Sequence, residues 1–467
     1  MFKRLKRGVS ENPSFFLSSS GGDISDALMS LEGATVLGIN PPVYDFTWFD
    51  LWSKPVGLLS IMQNLRRSGN NVHLVDCLYE SKNQSPPQKS LDFGRWKTQQ
   101  TLVDKPEPYR GIPRRYYRFG LGGAELRKRL ASCPRPNVIL ITSAMTYWYR
   151  GVYEAIEAVK EVFPDAFVIL GGAYAQLCPE HARLSGADFV QTEQFSFPYE
   201  TIALDLYDSP SYGVLITSWG CPMTCNYCAS GKLWPTFSQR EPDDVLKDLA
   251  NQASISTVTD MAFYDDALLL NKERLFYPLC RHIRENYPNL RLHTPNGLHV
   301  AQMDDECCEI LFQTGFRTIR LSLEGTDEFT SRVSSGKTGE IAARGYERAV
   351  ESLLRAGYRH DDIETYILVG LPGQRVEDVR RSIKTVIELG GHPKLTDFSP
   401  IPGTPLFNTA MRLTPDIAKE PLLHNKTIYT SYVAKTVPPD ELQGLKDMIR
   451  ENIVEAAKAP PLRSYGL

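Results

Sequence analysis

The sequence predicts an α/β chain: a doubly wound, Rossmann-like parallel sheet over residues 33–200, a partial (β/α)6 barrel of the TIM type over 205–410, and a small C-terminal helical region over 411–467. Three observations predict it. Short apolar runs alternate with amphipathic segments along most of the chain, the pattern of strand–helix–strand crossover units. Turn signals such as Asn40-Pro41-Pro42 and Gly171-Gly172 close the apolar runs. The alternation also restarts near residue 212 and runs through six more strand-like segments, enough for an open barrel with its chemistry at the C-terminal strand ends.

The elements follow in order. Residues 1–32 are polar and rich in Ser and Gly, which predicts a loosely ordered lead-in. ATVLGINPP (34–42) reads as a strand, VGLLSIMQNLRRSG (56–69) as an amphipathic helix, and NVHLVDC (71–77) as a second strand. Residues 81–118 interrupt the rhythm with SPPQ, KPEP and GIPRRYYRFG, an insertion suited to a lid or an interdomain strap. NVILITSAM (137–145), AFVILGGAY (166–174) and ADFVQTEQ (187–194) read as strands, with a helix over 149–163. The second series takes strands from YGVLITSWG (212–220), VTDMAFYDD (258–266), LRLHTPNG (290–297), RTIRLSLEG (317–325), DIETYILVG (362–370) and LTDFSPI (395–401). Helices are predicted at 305–315 and 346–357, and the last at 439–459.

Bulk properties exclude several classes. A chain of 467 residues holds two or three domains with their own cores. Its net charge of −3 gives no general attraction to nucleic acid or an anionic membrane. No apolar run approaches the roughly 18 residues of a membrane span. The basic start MFKRLKRGVS is not followed by the apolar stretch of a secretory signal. The expected compartment is the cytoplasm, where clustered cysteines signal metal or chemistry more often than disulfides.

Three of the nine cysteines fall within SWGCPMTCNYCASGK (218–232). Cys221, Cys225 and Cys228 have C-x3-C-x2-C spacing, directly after the first barrel strand. A closed zinc site takes four ligands and a disulfide two, whereas three thiolates can hold three irons of a cubane and leave the fourth open. A zinc knuckle with a distant fourth ligand uses the same letters. With Tyr227 before the last cysteine, the stretch resembles the signature of the radical SAM superfamily. The resemblance implies a [4Fe–4S] cluster on Cys221, Cys225 and Cys228. It also implies S-adenosylmethionine (SAM) on the open iron, cleaved to methionine and a 5′-deoxyadenosyl radical.

Later strand ends agree with that resemblance over about residues 212–410. FYDDALLL (263–270) places Asp265 and Asp266 where similar enzymes meet the SAM amino group, although an Asp capping a helix reads alike. RLSLEG (320–325) offers Ser322 and Glu324 for the ribose or the amino-acid end. Arg332 and Lys337 lie beyond, suited to the SAM carboxylate or to a solvated helix face. YILVGLPGQRVED (366–378), with Gly370 and Gly373, resembles the segment shaping the adenine pocket, and SPIPGTPLF (399–407) the one closing it near Ile401.

Residues 33–200 resemble the cobalamin-binding domain that precedes the barrel in one radical SAM class. GINPP (38–42), ITSAMT (141–146) and VILGGAYA (168–175) carry the likeness, which implies cobalamin contacts at Asn40, Ser143, Gly171 and Gly172. A plain αβ turn also accounts for the glycine pair. NPPVYDFTWFD (40–50) holds no histidine, so cobalamin here would lack the usual axial one. TEQF (192–195) stands where many relatives have a Gly-Glu-rich segment.

The resulting expectation is cobalamin-dependent methylation, or rearrangement, of an unactivated carbon in a small-molecule or peptide substrate, with flavodoxin or ferredoxin as electron donor. The alternatives are a cobalamin-independent radical SAM oxidoreductase or maturase acting on a peptide or RNA, and a non-catalytic metal-binding protein. No catalytic residue is singled out. Nucleic acid is not an expected partner, since RRYYRF (114–119) lacks a wider basic face.

Overall fold

A parallel sheet buried on both faces has to divide its side chains between two layers, and the first sheet does so with period two. Its strands are β1 (Thr35–Asn40), β2 (Asn71–Asp76), β3 (Val138–Ile141), β4 (Phe167–Leu170) and β5 (Phe189–Val190). The computed structural model describes residues 24–79, 97–334 and 339–458. Leu37, Ile39, Ile139 and Ile141 face one layer, with helices α2 (Gly123–Ser132) and α3 (Tyr149–Val162). Val36, Val138 and Leu140 face the other, under α1 (Val56–Arg67). All pairings are parallel, in the order β2-β1-β3-β4-β5. That order places a topological switch point between β1 and β3, where open α/β sheets keep their ligand crevice.

The second sheet runs β6 (Tyr212–Leu215), β7 (Asp260–Phe263), β8 (Arg291–His293), β9 (Phe316–Glu324), β10 (Ile363–Val369) and β11 (His392–Asp397). These six pair in sequence order and in parallel, and among the described residues β11 does not pair with β6. The barrel is therefore open. Helices α4 (Pro242–Ala253), α5 (Phe276–Asn286), α6 (Asp305–Thr314), α7 (Gly339–Ala356) and α8 (Val376–Glu388) return between strands. No helix among the described residues is long and apolar enough to cross a membrane.

The barrel interior is polar and paired. The His293 ring nitrogens meet Asp260 at 2.8 Å and Thr318 at 2.9 Å. Arg320 Nε and Lys394 Nζ donate to Glu364 at 2.8 Å each. Burial alone would push the Glu364 carboxyl up, but the two cations hold it down at about 2. Trp52, from the loop between β1 and α1, stacks on His293 with centroids 4.0 Å apart. Trp52, Val56 and Leu59 thus join the same buried cluster as the barrel strands.

Several expectations need correction. Residues 24–32 are not a loose lead-in: Ser25–Met29 is a helical turn, and Ile24 and Leu28 are buried in the core beneath α1. Residues 1–23 lie outside the described residues. Of the 81–118 insertion, 97–118 is ordered: Gln100–Leu102 and Tyr117–Phe119 pair antiparallel with each other, and Val43–Asp45 joins them. Tyr109 in this insertion donates its hydroxyl to Leu422 O at 2.7 Å, so the segment straps the front sheet to the C-terminal region. The last barrel strand begins at His392, three residues before the expected 395, because Pro393 pairs at its edge without needing an N–H. The C-terminal region contains α9 (Pro405–Leu413), a π-helical turn over Tyr429–Val433 and α10 (Pro439–Lys458), rather than a single helix.

Candidate active site

The cysteine loop leaves the end of β6 and is fastened from both sides of the barrel. Asn226 N–H donates to Val333 O at 2.8 Å, and Leu406 N–H donates to Asn226 O at 3.0 Å. Cys221 and Cys225 are half-buried and Cys228 is exposed, whereas Cys77, Cys280, Cys307 and Cys308 are buried. Cys228 N–H donates to Cys225 O at 3.1 Å, closing a turn. Ser230 N–H donates to Cys228 Sγ at 3.4 Å, and its hydroxyl donates to Asp266 Oδ2 at 2.7 Å. The loop and the end of β7 are thus one unit. Among the described residues no three His, Cys, Asp or Glu side chains converge on a single ion position. A cubane differs from a lone ion here, since each thiolate binds a separate iron and the three must stay apart.

Cys221 and Asp266 line one cleft of about 540 Å³ with Met223, Asn296, His299 and Gln302. Asp265 is the correction within the pair. Its buried carboxylate accepts from the Thr217 hydroxyl (2.6 Å), Thr217 N–H (3.0 Å) and the Ser218 hydroxyl (2.7 Å). Burial pushes its carboxyl up, against the pull of those bonds. Both aspartates line the cleft, but the Asp265 carboxylate is buried and taken up in clamping β6 to β7, while Asp266 stands exposed.

Glu324 ends β9 with φ +65°, beside a register shift against β10. A non-glycine residue there is strained, and such strain concentrates at ligand sites. The Ser322 hydroxyl donates to Glu324 Oε1. Burial pushes the Tyr227 phenol far up, with Glu324 and Cys225 beside it adding to the effect. Tyr227, Cys225, Glu324 and Ser322 therefore come together in one place. Arg332 is exposed on the short helix Glu328–Val333, and Lys337 lies outside the described residues. At Gly370 (φ +86°) a Cβ would meet Thr430 at 2.3 Å, so the residue after the π-turn's start packs where a side chain would otherwise stand. The Ile401 carbonyl accepts from the Thr404 hydroxyl at 2.8 Å and so serves the cap of α9.

At the switch point, Asn40 Nδ2 donates to Asp76 Oδ1 at 2.8 Å and the Ser143 hydroxyl donates to Gly171 O at 2.6 Å. A Cβ on Gly172 (φ +95°) would meet Ser143 O at 2.2 Å, so backbone packing alone demands that glycine. Two cavities open here. One, of about 440 Å³, is walled by Pro42, Trp48, Leu78, Ser143 and Trp148. The other, of about 500 Å³, runs under Gly171 and Gly172 between α1 and the strands, with Leu58, Ile61 and Ile169 at its base. Gln194 Nε2 donates to Leu233 O at 3.3 Å and ties this edge to the cysteine loop.

Sequence reasoning missed Ser230 and Asn296, whereas the aromatic clusters WFDLW (48–52) and YWY (147–149) stood out just past strand ends as core packing or as flanks for a flat ligand. Ser230 stands two residues after Cys228, which was a readable signal. Asn296 is placed by its bonds to Tyr264 O and Asp265 O (3.0 and 3.1 Å), which no spacing announces.

Comparison with known proteins follows the same lines. Residues 215–386 match the Radical SAM superfamily. The uncharacterized methyltransferase PH0819 of Pyrococcus horikoshii is 24% identical over 221 residues, 46% of this chain. Those residues are 45% of that protein, so the match spans less than half of the relative's length. The fold follows the radical S-adenosylmethionine methyltransferase TsrM from Kitasatospora setae, solved with tryptophan substrate and a SAM analog. Its TM-score is 0.59 at 15% identity, over 90% of this chain and 89% of that one. TsrM with cobalamin and a [4Fe–4S] cluster bound gives 0.54 at 16% identity, over 82% and 79%.

Proposed function

We propose, for a chain whose residues 215–386 are a radical SAM domain, that it cleaves SAM reductively and uses cobalamin to methylate an unactivated carbon of a small-molecule or peptide substrate. One observation carries this reading. Cys221 and Asp266 share a cleft at the open barrel ends, and two further cavities lie at the switch point of the front sheet. A methyl transfer that uses SAM and a second cofactor needs two such places.

The residues suit both groups. Cys221, Cys225 and Cys228 sit on one pinned loop and would hold three corners of a [4Fe–4S] cluster. Asp266, Ser322 and Glu324 would take the polar groups of SAM. The apolar walls at Trp48, Trp148 and Ile169 would take cobalamin, with the front sheet as its binding unit. When bound, the cluster supplies the electron that cleaves SAM, and cobalamin carries the methyl group. The chain's own work is positional: Ser230 holds Cys228 and Asp266 together, the Asp265 clamp keeps β6 against β7, and the tryptophans exclude water. Flavodoxin or ferredoxin is the proposed electron donor.

The test is anaerobic reconstitution with iron and sulfide, followed by a reductant, SAM and hydroxocobalamin. The expected result is 5′-deoxyadenosine that disappears in Cys225→Ala, together with S-adenosylhomocysteine and retained corrinoid. 5′-Deoxyadenosine without corrinoid retention would select a cobalamin-independent oxidoreductase or maturase. Protein holding stoichiometric zinc and no iron would overturn both.

A further inference from the structure

Lys54 lies in the loop between β1 and α1 and is buried. Its ammonium sits 4.0 Å from the ring centroid of Tyr207, 4.4 Å from Tyr212 and 5.2 Å from Tyr79. Asp50 and Asp76 are the charges that face it. Both carboxylates are engaged by other donors. Asp50 accepts from the Tyr212 hydroxyl at 2.9 Å and from Ser53 N–H at 2.7 Å. Asp76 accepts from the Tyr207 hydroxyl at 2.6 Å, Asn40 Nδ2 at 2.8 Å and Leu78 N–H at 2.9 Å. Among the described residues, no oxygen lies within hydrogen-bond reach of Lys54 Nζ. Ring faces attract an ammonium but accept none of its hydrogens in the way an oxygen does. The ammonium is not sealed in the core but looks into an opening, where a donor of this kind takes an acceptor.

The acceptor has a way in. A narrow cleft, open to solvent, is lined by Lys54, Asp50, Asp76, Tyr79 and Tyr212. It shares Asn40, Trp48, Ser53 and Leu78 with the larger switch-point cavity and is a side arm of it. One ammonium and two carboxylates repel a carboxylate arm and leave an apolar arm unable to satisfy Lys54. A primary carboxamide matches both signs: its oxygen accepts from Lys54, and its N–H groups donate to the carboxylates.

We propose that Lys54, Asp50 and Asp76 form a pocket for a primary carboxamide carried by the ligand of the switch-point cavity. The identity of that ligand rests on the cobalamin reading, whereas the pocket does not. Corrinoid rings carry peripheral carboxamides, and a substrate with an Asn- or Gln-like amide presents the same chemistry.

Two measurements on the full chain separate these sources. Crystals soaked with propionamide show it in the side arm, with its oxygen on Lys54; a side arm without propionamide overturns the proposal. Hydroxocobalamin and its single-site monocarboxylic acids are then titrated by tryptophan quenching. A corrinoid source predicts one monocarboxylate at least tenfold weaker than its parent in the unaltered protein. In Lys54→Met the parent weakens about tenfold and this discrimination vanishes, while Lys54→Arg keeps part of it. Corrinoid affinity independent of position 54, with propionamide bound, assigns the amide to the substrate and sustains the pocket. Failure of the unaltered protein to bind any corrinoid defeats the cofactor reading alone, since the soak still decides the pocket. If Lys54→Met does not fold, the monocarboxylate series on the unaltered protein carries the test.

Discussion

Asp265 and Asp266 are adjacent, share a residue type and end the same strand, yet their tasks are opposite. Removing Asp265 orphans two buried hydroxyls and a buried N–H. Asp265→Ala should therefore cost about 3 kcal/mol of unfolding free energy in urea. Asp266→Asn should change stability by no more than about 0.5 kcal/mol, while the Kd of SAM for the reconstituted protein rises about tenfold. Glu324 offers a second contrast, because its φ of +65° favours glycine. Glu324→Gly should be more stable than Glu324→Ala by about 1 kcal/mol in the same assay, with SAM turnover lost in both. The sequence marked all three carboxylates as site candidates. Which of the aspartates is buried and which stays exposed depends on strand register, which one chain's letters do not carry.

Among elements, the loop between β1 and α1 matters beyond its length. Trp52 adopts φ +65°, an uncommon state for a bulky residue, and is held there by complete burial against His293 and Tyr212. Trp52→Ala should cost about 3–5 kcal/mol, read from the urea midpoint, since a large side chain leaves a packed barrel. The turn before the π-helix supplies a pH-sensitive pin. His424 Nε2–H donates to Ile417 O at 2.7 Å, and Thr146 donates to Nδ1 at 2.9 Å, which joins β3's exit to the C-terminal region. Burial drives this ring from 6.5 down to about 4. The unfolded chain takes up the proton first, so the stability is complete above pH 6.5 and is lost between pH 6.5 and about 4. The loss is on the order of 3 kcal/mol over that window. Urea titrations at stepped pH should show this limb flattened in His424→Gln. The lower limb, where Glu364 is protonated between 4.5 and about 2, should remain.

For the molecule as a whole, the front sheet keeps two core layers of its own, but the barrel core reaches into the loop before α1 and into α1 itself. Trp52, Val56, Leu59, Ile202 and Tyr207 pack in one cluster with β6 to β10 and α10. Thermal unfolding followed by far-UV circular dichroism and by tryptophan fluorescence should give coincident midpoints. Separate transitions would show that the shared cluster does not couple the halves. Strand positions in both sheets were legible because buried parallel strands write continuous apolar runs between turn signals. The antiparallel ribbon at 97–119 and the helix at Ser25–Met29 were not, because short polar elements acquire order only from what they pack against.

The sequence by itself determined the alternation of strands and helices, the open six-strand count and the three thiols on one loop, since each is a local pattern of polarity or spacing. Only the tertiary structure decided that Asp265 clamps while Asp266 stays exposed, that Thr430 packs on Gly370, and that Lys54 is caged at a cavity. Those outcomes depend on which distant segments meet, and side chains brought together from different elements leave no trace in local order.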